Sequence, residues 1–173
     1  SHPLTPADRL GWGSVLLLTA WMASYTRPDL WATPFLPNGG DIASHLLTIG
    51  TFREWLSHGR ISGWMPEVFA GLPALLHYFP FPFLLTSLLS LLVGLGPAFR
   101  WVIMLPVFLL PSAICWTTGK IAWPWPARLL ATTATVGFLL NEGSTIWGGN
   151  ILAQFGGEFA FGWGMVAVVL FIG

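Results

Sequence analysis

Charge is what this sequence holds least of. Seven Lys and Arg and seven Asp and Glu make up 8% of 173 residues, where a soluble domain ordinarily carries about a quarter. So few charges cannot solvate a water-facing surface. The two signs also cancel, so no long-range field gathers an acidic partner, and no nucleic-acid role is expected. Cys115 is the only cysteine, which excludes an internal disulfide and a cysteine metal cluster. The chain has no Gly-rich phosphate loop between a strand and a helix, no His-Glu-x-x-His pair and no Gly-x-Ser-x-Gly elbow. Soluble-type nucleotide, metalloprotease and serine-hydrolase chemistry therefore have no carrier here.

What fills the space is apolar: 54% of the residues are hydrophobic, with eleven Trp and thirteen Phe. Bilayer interfaces enrich Trp, because its ring is apolar and its N–H stays wet. The expectation is an all-α protein, a polytopic transmembrane helical bundle with an amphipathic surface helix after the first span. Membrane lipids are its first partners and a bacterial inner membrane its location. Residues 165–173 stop inside a hydrophobic run, so the chain reads as a single transmembrane region from the N-terminal part of something longer. A cleaved signal peptide over Leu10 to Tyr25 competes with the first span. No small-x-small site follows it, however, and further apolar segments come later.

Along the chain, residues 10–25 are uncharged and rise about 24 Å, enough to cross a core of about 30 Å if Arg9 and Arg27 snorkel at the two ends. Residues 26–40 hold Pro28, Pro34, Pro37 and the Gly39-Gly40 pair and read as loop. From 41 to 58, Ile42, Leu46, Ile49, Phe52 and Leu56 recur three or four apart, one face of an amphipathic helix. Residues 62–73 return to loop chemistry. A second span is expected over about 75–95, a tight turn at Gly96-Pro97, and a kinked third span over about 99–118 containing Pro106 and Pro111. A segment over about 121–140 is ambiguous in length, Asn141 to Glu158 has no predictable structure, and a last span opens at about 158–173.

The candidate chemistry sits beside these segments. Asp41 follows Gly39-Gly40 at a helix start, where a carboxylate can take a proton from a hydroxyl or hold a divalent ion over a phosphate. The plain alternative is a helix N-cap. His45 lies one turn on and shares its face, as an orienting partner, a metal ligand or simply a packed ring. Glu158 stands at the mouth of an apolar span, where a carboxylate needs a partner or a task, or else complements the helix dipole. Asn150 and Gln154 offer amides suited to sugar hydroxyls. His77 and Tyr78 enter the second span, where they can meet a lipid phosphate or sugar, or act as interfacial anchors. Glu67 reads as a solvated loop acid.

The order of these pieces carries a resemblance. Gly39-Gly40-Asp41 with His45 is followed by Trp64-Met65-Pro66, Gly71-Leu72-Pro73, Tyr78-Phe79-Pro80, Trp147-Gly148-Gly149-Asn150 and Gly157-Glu158-Phe159. The chain resembles, over nearly its whole length, the N-terminal half of bacterial polytopic membrane proteins of the GT-C glycosyltransferase-like group, those labelled 6-pyruvoyl-tetrahydropterin-synthase-related. That resemblance implies an enzyme that takes a sugar from a polyprenyl-phosphate donor on the extracytoplasmic face. Asp41 then corresponds to the presumed base or metal-contacting acid, and Glu158 to a second acid brought near it.

Two difficulties accompany this reading. If all three intervening segments cross, the Asp41 and Glu158 loops emerge on opposite faces. Either one segment is re-entrant, with Ala127 to Leu140 as the candidate, or Glu158 is structural. A cytoplasmic N-terminus also leaves Arg9 and Arg100 inside against Arg27, Arg53, Arg60, Lys120 and Arg128 outside, the reverse of the positive-inside preference. The competing class is a noncatalytic accessory subunit bound to other integral membrane subunits.

Overall fold

In the computed structural model, residues 6–68, 70–74, 79–143 and 148–173 are described. The architecture is helical: α1 (Pro6–Tyr25), α2 (Ile42–Ser57), α3 (Pro80–Val93), α4 (Leu95–Lys120), α5 (Trp125–Leu139), the short α6 (Ile151–Ala153) and α7 (Phe159–Ile172). A π-turn over Gln154–Glu158 joins α6 to α7. Two helical stretches, α4 and the run Ile151–Ile172, are long and apolar enough to cross a bilayer.

Helix α4 is the axis. It opens directly after Gly94, whose φ of 85° reverses the chain out of α3. The turn expected at Gly96-Pro97 is therefore absent, and both residues lie in the first turns of α4, where a proline's missing amide costs least. Pro106 and Pro111 also lie inside the helix. Pro106 has no N–H to offer the Val102 carbonyl one turn back. The Trp163 indole of α7 donates to that carbonyl instead, at 3.0 Å, so the site where the proline breaks the ladder is also a helix–helix contact.

Around α4 the neighbours alternate in direction. Arg128 of α5 donates to the Cys115 carbonyl at 3.2 Å, while Val136 and Leu139 pack with Met104 and Val107, so α5 runs antiparallel to α4. Helix α7 runs parallel to α4, from Phe159 beside Phe99 to Val169, whose carbonyl accepts from Thr117 Oγ1 at 2.9 Å. Helix α1 runs parallel to α5, from Asp8, which accepts from Trp125 Nε1 at 2.7 Å, to Met22 packed with Val136 and Leu139. The bundle thus has a Lys120 end and an Asp41 end. The loop after α1 wraps the Asp41 end of α4: Arg100 donates to the Thr33 carbonyl at 2.6 Å and to that of Phe35, and Trp101 to that of Trp31 at 3.1 Å.

Of the span expected over 75–95, residues 75–78 lie outside the described residues; the described part forms α3, whose 14 residues rise about 21 Å and lie antiparallel against the first half of α4. Phe81 meets Trp163 ring to ring at 5.1 Å, so α3 starts near the middle of the bundle and ends where α4 begins. Its two prolines stand at the start, where unpaired amides are harmless. Helix α5 covers Trp125–Leu139, shorter than the 121–140 segment, because Pro124 is extended at its N-cap while Pro126 sits in its first turn, where a missing amide is harmless.

Helix α2 follows its apolar spacing. Ile42, Ile49, Phe52 and Trp55 are buried with Phe83, Phe99, Ile103 and Phe159, while Asp41, Ser44 and Glu54 are exposed. It packs on α3 and on the π-turn. The loop after it contains a two-stranded antiparallel hairpin, β1 (Gly63–Met65) and β2 (Leu72–Ala74), with Trp64 opposite Pro73.

Candidate functional site

Asp41 occupies the N-cap position of α2, yet its side chain makes no capping hydrogen bond, and the residue is exposed. The capping alternative is therefore not realised. Its backbone N–H instead donates to the Gly156 carbonyl at 2.9 Å, joining the start of α2 to the π-turn before α7. That approach requires glycine on one side: at Gly40, φ 47°, a Cβ would collide with the Gly156 carbonyl.

One turn along α2, His45 is buried, only 8% exposed. Its ring lies edge-on to Phe159 at 5.1 Å and tilted against Phe83 at 5.6 Å. Burial holds the imidazole below its ordinary value; the Asp41 carboxylate, a hydrogen bond to the Gly157 backbone and the Glu158 carboxylate pull the other way. His45 is thus a neutral ring at neutral pH, flanked by two acids. Gly157 sits between them. At φ 123° it has a conformation closed to L side chains, and a Cβ on it would lie 2.9 Å from Asp41 Cβ and 3.3 Å from His45 Nε2.

Glu158 ends the π-turn, is exposed, and makes no capping bond to α7. Asp41, His45 and Glu158 therefore meet at one end of the bundle. Asp41 and Glu158 thus emerge at the same end; of the described helices between them only α4 has the length and hydropathy of a span, while α3 and α5 have 14 and 15 residues.

The other candidates lie elsewhere. Asn150 is buried and caps α6: its Oδ1 accepts from Ala153 N at 2.7 Å and its Nδ2 donates to the Asn141 carbonyl at 2.8 Å. Gln154, 1% exposed, faces inward with its Oε1 unpaired. Glu67 is exposed in the β1–β2 loop. His77 and Tyr78 lie outside the described residues, as does Trp147 of the motif series. Among the described residues no three His, Cys, Asp or Glu side chains gather in metal-holding geometry.

A pattern overlooked in the sequence explains the convergence. Gly39-Gly40-Asp41 and Gly156-Gly157-Glu158 are both Gly-Gly-acid tripeptides, and the structure packs one against the other. Gly40 on one side and Gly157 on the other let the backbones touch, and each acid emerges at the contact.

An apolar groove of about 710 Å³ runs below this site between α5 and α7, lined by Phe138, Phe161, Met165 and Val168 among others. Phe161, at one end of the lining, stands one turn after Glu158, though Asp41, His45 and Glu158 do not themselves line the groove. No protein-family model, curated protein or solved structure matches this chain.

Proposed function

We propose that the chain is an integral membrane protein that transfers a sugar from a polyprenyl-phosphate donor, with its reacting centre at Asp41, His45 and Glu158. The observation that carries the proposal is the meeting of two exposed carboxylates and a neutral histidine at one end of a bundle that also holds an apolar groove, lined from Phe161, one turn after Glu158. A lipid-linked sugar has the same two-part chemistry, a polar head at the interface and a hydrocarbon chain below it.

Membrane embedding is supported by the two long apolar helices and by leucines that face outward all round the bundle. Leu16 and Leu17 of α1, Leu130 of α5 and Leu170 of α7 are 68%, 73%, 71% and 46% exposed, a surface that water would not tolerate in such density. Lipid removes that cost.

In the proposed reaction the Asp41 carboxylate accepts the proton of the acceptor hydroxyl as its oxygen attacks the anomeric carbon of the donor sugar. The bond from that carbon to the lipid phosphate breaks, and polyprenyl phosphate leaves with the electron pair. Neutral His45, fixed by the Gly157 backbone and by Phe83 and Phe159, positions Asp41 and keeps a second carboxylate, Glu158, within the same electrostatic neighbourhood.

The test is release of polyprenyl phosphate from radiolabelled polyprenyl-phosphate sugars by the chain in proteoliposomes. Asp41→Asn is expected to abolish release while leaving insertion unchanged. Full activity in Asp41→Asn would refute the assignment. No release by the wild type, with stoichiometric copurification of other integral subunits, would favour an accessory role instead.

A further inference from the structure

The end of the bundle remote from Asp41 has no part in the proposed chemistry, yet it is organised. Among the described residues it gathers Arg9, Lys120 and Arg128 against a single acid, Asp8. The Asp41 end holds Arg27, Arg53, Arg60 and Arg100 against Asp29, Asp41, Glu54, Glu67, Glu142 and Glu158. The chain is neutral overall, but its two ends carry opposite excess charge.

Four tryptophans, Trp12, Trp116, Trp123 and Trp125, lie at the positive end, as Trp31, Trp55, Trp64 and Trp101 lie at the other. Lys120 Nζ lies 5.1 Å above the Trp116 ring, and Arg128 lies 3.7 Å above that of Trp125. Arg128 is further fixed by the Cys115 carbonyl at 3.2 Å and the Cys115 thiol at 3.8 Å. Trp12 meets Trp125 edge-on at 6.2 Å, and Trp123 in the connector is exposed. Asp8, the one counter-charge, accepts from Trp125 Nε1. Arg9 and Lys120 are exposed, so these two heads extend from an aromatic layer toward whatever lies beyond it.

We propose that this end is seated in a leaflet of anionic phospholipid, with Arg9 and Lys120 contacting lipid phosphates and the Trp12, Trp116, Trp123 and Trp125 rings at headgroup depth. Charge complementarity selects the partner. A zwitterionic surface gains nothing from a net positive end, whereas each base near an anionic surface strengthens attachment several-fold. Arg128 anchors the layer from inside, since its guanidinium is held over Trp125 while its stem packs along α4. The proposal rests on the membrane reading but not on sugar transfer.

The experiment reconstitutes the chain in nanodiscs containing phosphatidylcholine and phosphatidylglycerol and measures the retained lipids by native mass spectrometry. Phosphatidylglycerol should be enriched over its bulk share in the wild type. Arg9→Gln with Lys120→Gln should weaken that preference by roughly tenfold or more, while Arg53→Gln with Arg60→Gln, which removes the same charge from the other end, should leave it nearly unchanged. Equal loss in the two variants, or no enrichment in the wild type, overturns the proposal. A chain that stays monodisperse in detergent-free buffer and never enters the discs overturns it together with the membrane reading. An inserted wild type without lipid preference sinks this inference alone.

Discussion

Replacing Gly157 by alanine tests whether the two Gly-Gly-acid segments must touch. Two costs are present at that position. The backbone φ of 123° with ψ of −8° lies outside the regions open to L residues, which costs about 1–3 kcal/mol. The added methyl would also start 2.9 Å from Asp41 Cβ and 3.3 Å from His45 Nε2. Relief of that overlap costs about 1–3 kcal/mol more if the contact holds and less if α2 retreats. The expected total is roughly 2–5 kcal/mol, or a fall in midpoint of at least about 4 °C at ~2–4 °C per kcal/mol. Gly156→Ala supplies the contrast, since a Cβ at the adjacent position meets nothing within 4 Å. Thermal unfolding of both variants in detergent, followed by tryptophan fluorescence, gives the comparison. If Gly157→Ala is as stable as Gly156→Ala, α2 and the π-turn do not make the contact on which the site is built.

Two further outcomes follow from the same structure. Trp163→Phe leaves the Val102 carbonyl without the indole donor in wild-type α4 and should cost about 1–3 kcal/mol. Pro106→Ala restores an N–H to that carbonyl, so the double variant should lose less than the two single losses combined, and strict additivity in unfolding measurements would reject the Trp163–Val102 bond as the repair of the proline gap. Because His45 is held below the ordinary imidazole value of 6.5 by burial, the unfolded chain binds its proton first as pH falls. Stability is therefore full above about 6.5 and declines from there toward the lower folded value. Midpoints measured between pH 8 and pH 5 should fall with acid in the wild type and fall less in His45→Gln; a midpoint that rises on acidification would contradict the burial argument.

Much of the helical content was legible because its signals are local. The spacing of Ile42, Ile49 and Phe52 marks α2 whatever it packs against, and the uncharged run after Arg9 marks α1. Two things were illegible because they depend on partners distant in sequence. Nothing near Pro106 says that Trp163 will meet the carbonyl its ring leaves free, or that the span expected over 99–118 extends to one helix of 26 residues, Leu95–Lys120. Nothing between residues 75 and 95 says that the apolar stretch becomes a short helix against the first half of α4. Hydropathy counts apolar residues, and it cannot distinguish a segment covered by lipid from one covered by α2 and α4. The meeting of Asp41 with Glu158 was hidden by that same ambiguity, although the repeated Gly-Gly-acid tripeptide was a signal available in the sequence.

The short α3 also rearranges the charges. With 75–95 and 99–118 both treated as crossings, Arg100 falls on the N-terminal side and Lys120 and Arg128 on the opposite one. Once α3 and α4 form a hairpin whose turn lies at the Asp41 end, Arg100 joins the Asp41 end, where the Thr33 and Phe35 carbonyls hold it. Lys120 and Arg128 move to the side of Arg9. The conflict with the positive-inside preference then narrows to three bases against four, with engaged bases on both sides: Arg27 with Asp29 at 2.7 Å and Arg100 with the loop carbonyls at one end, Lys120 over Trp116 and Arg128 over Trp125 at the other. An ion pair such as Arg27–Asp29 cancels its own charge, whereas a cation over an aromatic face keeps its charge and can still meet a headgroup. The geometry that brings the two acids together therefore also gathers Arg9, Lys120 and Arg128 at the opposite end, which is the asymmetry that the lipid-preference experiment reads.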